Sequence, residues 1–274
     1  MEQIKKPHLS ISQIHSYLRC PMIHYWRNVE KKVVPPTSNL VMGRSADSVL
    51  SYNYSQKINS HVDISKDDFL DYFGSKFDEE AKIAEFEIGE IPGELKDYGI
   101  NTLKEYHASV SPLHQPIEDG IQKTIDLSLP EASFDFKMVI DMIDTDNRVI
   151  DFKTSKKSYS KVDKDDNTKG YKVPFEARNQ LSAYKIGYKI LFGKEPDMSL
   201  IELCVFNKQS SVIIQPVETD TASFHRIFNH VANCIKNKIY YPNPIYNMCP
   251  FSKSSNPDEK GCGYFKFCRE AEVL

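Results

Sequence analysis

Apolar and polar residues alternate at helical spacing from the start of the chain. The stretch SISQIHSYLRCPMIHYWR, with Ser10 or Ser12 as its cap, predicts a helix to about Arg27 that Pro21 ends or kinks. After the Pro35-Pro36 break, Asn39 can start a second helix through Gly43, Asp47 and Leu50. Ser65, followed three residues later by Asp68, has the spacing of a cap for a third helix to about Ala84. Pro92-Gly93 separates it from a fourth helix ending near Ser111-Pro112. The pattern then changes. Residues 117–129, 134–144 and 148–153 are rich in β-branched and aromatic side chains, and Asp146-Asn147 supplies a turn between the last two, so an antiparallel meander is predicted. Residues 154–174 are polar, lysine-rich and aperiodic, which predicts a mobile loop. Helical spacing returns over 175–192 and 221–238, with paired strands at 199–207 and 210–217 between them. From Tyr240 onward Pro, Asn and three Cys replace it. This order reads as an α+β fold in a single domain, 1–274, with a helical insertion at about 60–112 and a cysteine-rich tail at about 240–274.

Composition narrows the function classes. The 274 residues sum to a formal charge of −3, which argues against a protein that holds nucleic acid by bulk charge alone. The sum hides an uneven distribution. Residues 63–105 carry 13 acidic and five basic side chains, and residues 153–172 carry seven Lys and three Asp. The first run reads as a helical insertion facing solvent or a partner. Lysines of the second, with Tyr159 and Tyr171, can track a phosphate backbone and stack bases. No apolar run reaches the ~18 residues of a membrane helix, and the N-terminus lacks the apolar stretch of a secretory signal, so no membrane partner and a cytoplasmic location are expected. Six Cys in such a chain point to core thiols or metal ligands rather than disulfides.

The candidate chemistry sits in the meander. Asp141 lies in FKMVIDMID and Asp151 in RVIDFKTSKK, apolar surroundings in which a carboxylate is costly to bury uncompensated. Asp151 and Lys153, two apart on a strand, share one face. A hairpin at Asp146-Asn147 can bring Asp141 alongside Asp151. Two such carboxylates form a hard oxygen site suited to Mg²⁺ or Mn²⁺, where Lys153 can orient water or stabilise a developing oxyanion. Spacing alone fits an ordinary ion pair on an exposed strand equally well.

The string IDMIDTDNRVIDFKT resembles the core of the PD-(D/E)XK nuclease superfamily, in its RecB-like and CRISPR-associated exonuclease branch. Four further blocks resemble that branch in the same order: the Ser-x-Ser and Tyr-x-x-Cys-Pro of SISQIHSYLRCPMIHYW, the helix segment Gly43 to Asp47, Gln180-x-x-x-Tyr184, and the cysteine-rich tail. The resemblance implies a restriction-endonuclease-like α/β/α core, a mixed β-sheet flanked by helices. It implies Asp141 and Asp151 as metal ligands, Lys153 as the catalytic lysine, and Gln180 and Tyr184 lining the site. Tyr184 packed in the core is the alternative for that pair. Asp47 stands where the branch carries a metal-binding His; as a carboxylate it suits Mg²⁺, or it caps the helix or faces solvent. His24 on the first helix is a candidate DNA contact. Cys20, Cys249, Cys262 and Cys268 match the branch's [4Fe-4S] arrangement, although four thiolates also suit zinc. Cys204 and Cys234 read as core thiols. The implied function is a metal-dependent DNA exonuclease of recombination, repair or phage type, acting on single-stranded or duplex DNA, with a recombination or helicase partner. A non-catalytic nucleic-acid-binding or assembly subunit with the same fold is the alternative, and a zinc-stapled protein without a nucleic-acid role is a third.

Overall fold

A capping box starts the first helix: the Ser10 side chain accepts from the Gln13 N–H, and the Gln13 side chain accepts from the Ser10 N–H. The computed structural model describes residues 6–128, 132–166, 169–242 and 262–271. Its elements in chain order are β1 (His8–Ser10), α1 (Ile11–Arg19), α2 (Pro21–His24), a π-helical turn (Tyr25–Val29), α3 (Ser38–Ser60), α4 (Lys66–Ala81) and α5 (Pro92–Ser109). These are followed by a 3₁₀ turn (Ser111–Leu113), β2 (Pro116–Leu127), β3 (Asp135–Asp144), β4 (Arg148–Ser155), α6 (Phe175–Phe192), β5 (Met198–Val205), β6 (Ser211–Pro216), α7 (Thr221–Lys236) and α8 (Phe265–Glu270). The first predicted helix is in fact three segments, because Pro21 lacks the N–H that would continue α1. The second runs ten residues beyond Leu50.

Strand order is β1-β3-β4-β5-β6, with β2 also on β3. The mixed sheet and its helices have the restriction-endonuclease-like architecture. β3 and β4 are antiparallel, β4 and β5 parallel, β5 and β6 antiparallel. A parallel pair cannot close with a tight turn, so the chain crosses from β4 to β5 through α6.

The residues group into two units. One takes residues from 1–34, 125–138 and 221–274, and there β1 pairs in parallel with the start of β3 while α1 packs against α7. The other comprises 35–124 and 139–220. Its core joins Val41, Val49 and Tyr54 of α3 to Met142, Ile150 and Leu200 of the strands and to Phe69, Phe73, Phe77, Leu103 and Tyr106 of α4 and α5. The acidic insertion is thus amphipathic: most of its charges face outward, while Phe69, Phe73 and Phe77, four apart, turn one stripe into the core. Net charge concealed that stripe.

Candidate active site

Register builds the site. Met142 pairs with Ile150 and Ile143 with Val149, and one further step along that antiparallel ladder sets Asp141 across from Asp151. Lys153 follows Asp151 on the same face of β4. The crossover helix α6 packs on β4 and carries Gln180 and Tyr184 one turn apart, and α3 packs on β4 with Asp47 in its middle. Between them lies a cleft of about 340 Å³ lined by Arg44, Asp47, Gln122, Asp141, Lys153 and Gln180. Gly43 also lines it, where a Cβ would stand 3.2 Å from the Thr154 hydroxyl, so that side chain would have to give by a few tenths of an ångström to admit a larger residue.

Hydrogen bonds form a directed chain from Lys153 to Asp141. Lys153 Nζ donates to Asp151 Oδ1 at 2.6 Å and to Gln180 Oε1 at 3.1 Å. An ammonium can only donate, so the amide oxygen of Gln180 faces it and its NH₂ donates to the Tyr184 hydroxyl at 2.7 Å. Tyr184 in turn donates to Asp141 Oδ1 at 3.1 Å, while the Phe152 N–H donates to Asp141 Oδ2 at 3.0 Å. Tyr184 is therefore both packed in the core and part of the site; the two readings of its sequence position describe one side chain. Asp47 neither caps α3 nor faces bulk solvent: Gln122 Nε2 donates to its Oδ1 at 2.9 Å.

The electrostatics exclude a surface ion pair. Asp151 is fully buried (0% exposed), and burial pushes its carboxyl up to about 7 against the opposing pull of Lys153, with Asp141 adding repulsion. Burial and then Asp141 raise Asp47 to about 6. Burial likewise raises Asp141, while Lys153 and hydrogen bonds with Phe152, Tyr184 and Asp151 pull it down. Burial disfavours the Lys153 ammonium, yet Asp151 and Asp141 overcome that and hold it charged. Burial is the largest cause of each raised carboxyl, and Lys153 is the cation that opposes it at all three.

A divalent cation fits this donor set. Asp151 Oδ2 is buried and has no donor near it other than Lys153 Nζ, which stands 2.6 Å away and also serves Oδ1. Among the described residues no three His, Cys, Asp or Glu side chains form a closed cage. Mg²⁺ does not need one, because it commonly takes one or two carboxylates and keeps several waters.

The other expected residues fall as follows. Cys20 and Cys268 share a buried cluster with Met22 and Trp26, and the Trp26 indole N–H donates to Cys268 Sγ at 3.0 Å. Cys262 lies half-buried just before α8, and Cys249 lies outside the described residues. Cys204 is buried in the core, whereas Cys234 is half-buried on α7. His24 is 2% exposed and stacks on Tyr240, so its ring packs inside the protein rather than facing solvent. In the 154–174 loop Lys156 pairs with Glu90 and Lys169 with Asp163. Gln122 escaped the sequence reading, since nothing distinguishes it from any other polar strand residue.

A mixed sheet presenting two carboxylates on adjacent strands, with a lysine two residues after the second, is the framework of a nuclease. The chain belongs to the PD-(D/E)XK nuclease superfamily, whose sequence profile matches residues 8–269. The crystal structure of a "Putative exonuclease" from Eubacterium rectale superposes with a TM-score of 0.57 at 12% identity, covering 90% of this chain and 88% of that one, a likeness that shows the fold. The structure of SSO0001 aligns at 11% identity over 82% of this chain and 83% of that one, with a TM-score of 0.31. No curated protein matches the sequence. No helix among the described residues is long and apolar enough to cross a membrane.

Proposed function

We propose that the protein is a divalent-metal-dependent DNA nuclease acting as an exonuclease. The observation that carries this reading is the fully buried Asp151, whose two oxygens each lie 2.6 Å from the single cation Lys153, with the second carboxylate Asp141 across the ladder. Asp141 and Asp151 would hold Mg²⁺ or Mn²⁺, with Asp47 on the facing wall of the cleft completing the set directly or through water. When bound, the ion supplies charge neutralisation at the phosphate and acidifies a coordinated water. Lys153, held charged by Asp151 and oriented by Gln180, stabilises the developing negative charge. Tyr184 fixes the rotamer of Asp141. The exonuclease part draws on the Eubacterium rectale protein, which bears that name, and on the resemblance of the sequence blocks. End-labelled single-stranded and duplex DNA with Mg²⁺ or Mn²⁺ tests it: Asp151→Ala and Lys153→Ala should each lose at least about 100-fold in cleavage rate. Full activity in both variants sinks the assignment, and binding without cleavage by the wild type would leave an assembly subunit.

Cys20, Cys249, Cys262 and Cys268 would hold a [4Fe-4S] cluster, a reading supported by the shared burial of Cys20 and Cys268 and by the N–H that Trp26 gives to sulfur. Anaerobically purified protein should then absorb near 400 nm, and Cys20→Ser should remove the colour. Stoichiometric zinc in colourless protein overturns it.

A further inference from the structure

Gln122 stands out in β2 by its backbone. Its φ is +49°, a left-handed conformation that side chains with a Cβ resist, and Asp119 three residues earlier lies at +57°. Between them Gly120 is pressed so closely on the neighbouring strand that a Cβ would meet the Ile143 carbonyl oxygen at 2.6 Å. An extended strand would alternate its side chains evenly; this one breaks that alternation next to the cleft. The break aims Gln122 at α3. Its Nε2 reaches Asp47 Oδ1 at 2.9 Å and Ser51 Oγ at 3.2 Å, two positions one turn apart on that helix. Asp47 Oδ2 accepts no hydrogen bond among the described residues, and both Asp47 and Gln122 line the cleft with Asp141 and Lys153. Backbone strain is retained at such places when the aimed side chain has work to do.

We infer that Gln122 is a positioning residue, which clamps one oxygen of Asp47 so that the other is presented to a divalent cation in the cleft. This rests on the metal-dependent reading above. A neutral amide suits the task. It donates to a carboxylate without neutralising it, whereas Lys or Arg there would compete with the cation.

Glycine separates strain from positioning, because it accepts a positive φ without cost and removes the side chain. Mn²⁺ affinity of the full chain, followed by the electron paramagnetic resonance of free Mn²⁺, is measured for wild type, Gln122→Gly, Gln122→Ala, Asp47→Ala, Asp47→Ala/Gln122→Gly and Asp151→Ala. Thermal unfolding without metal runs alongside. Gln122→Gly should bind Mn²⁺ about ten-fold more weakly while its Tm stays level or rises. In the Asp47→Ala background the same change should cost nothing further. Unchanged affinity in Gln122→Gly, an equal loss without Asp47, or a loss accompanied by a lower Tm in both Gln122 variants overturns the inference and leaves Gln122 structural. If Asp151→Ala binds Mn²⁺ as the wild type does, the metal-dependent reading itself falls, an outcome distinct from failure of the Gln122 clamp.

Discussion

Lys153, Gln180 and Tyr184 show how single side chains set one another's roles. Only the ammonium fixes which way the Gln180 amide points, and only that orientation leaves the Tyr184 proton for Asp141. Tyr184→Phe keeps the packing and deletes the donor. Its cleavage rate should fall about ten-fold with Tm within a few degrees of wild type, the usual scale for losing one group that orients a ligand. Gln180→Ala should cost a similar factor, and the double variant little more than either alone, because both act on Asp141 through one chain of hydrogen bonds. Fully multiplicative losses would show that they act separately. Asp141, Asp151 and Lys153 were legible as a candidate set only through the resemblance of the sequence blocks around them, since their spacing alone fits an ordinary ion pair as well. Gln122 was not, since its importance arises from a backbone angle and a partner 75 positions away.

Elements carry the stability. The α4–α5 pair was read as a charged insertion, yet Gly99 of α5 sits where a Cβ would come within 2.3 Å of the buried Phe73 ring. Alanine in a helix interior gains about 1 kcal/mol over glycine, whereas overpacking a core costs about 1–3 kcal/mol. The ring is fully buried and cannot retreat, so Gly99→Ala should lower stability in urea unfolding. Beneath the strands, His114 bonds Asp144 through Nδ1 at 3.1 Å and meets Glu202 through Nε2 at 2.5 Å, with Arg148 on Asp144 and Tyr106 donating to Glu202. Burial disfavours the imidazolium, but the two carboxylates outweigh it and raise His114 to about 9. A cationic group raised on folding stabilises fully below its unfolded value near 6.5, and that contribution fades as pH climbs through about 9. The loss is on the order of 3 kcal/mol. Unfolding free energy should thus decline between pH 6.5 and 9.5 in the wild type, and the decline should shrink in His114→Gln; parallel curves would refute it.

At the scale of the whole molecule, burial disfavours the charged forms of Asp47, Asp141 and Asp151, and Lys153 is the cation that opposes this within the cleft. A ligand that binds only the native state adds RT ln(1 + [L]/Kd), about 2.7 kcal/mol at a hundredfold excess over Kd. Millimolar Mn²⁺ should therefore raise the Tm of the wild type and leave Asp151→Ala unmoved, as differential scanning calorimetry would show. An equal rise in both would place the binding elsewhere. The sequence by itself determined the helices and strands with strong periodicity, among them the helix over 175–192, and narrowed the first cap to Ser10 or Ser12. These depend on contacts between residues near in the chain, where spacing is geometry. Only the tertiary structure decided the parallel pairing of β4 with β5, the burial of one face of the acidic insertion, the loss of His24 to an aromatic stack and the reach of Gln122 to Asp47. Each of those depends on which distant surfaces meet, and a pattern of polar and apolar residues states that a face is buried without stating against what.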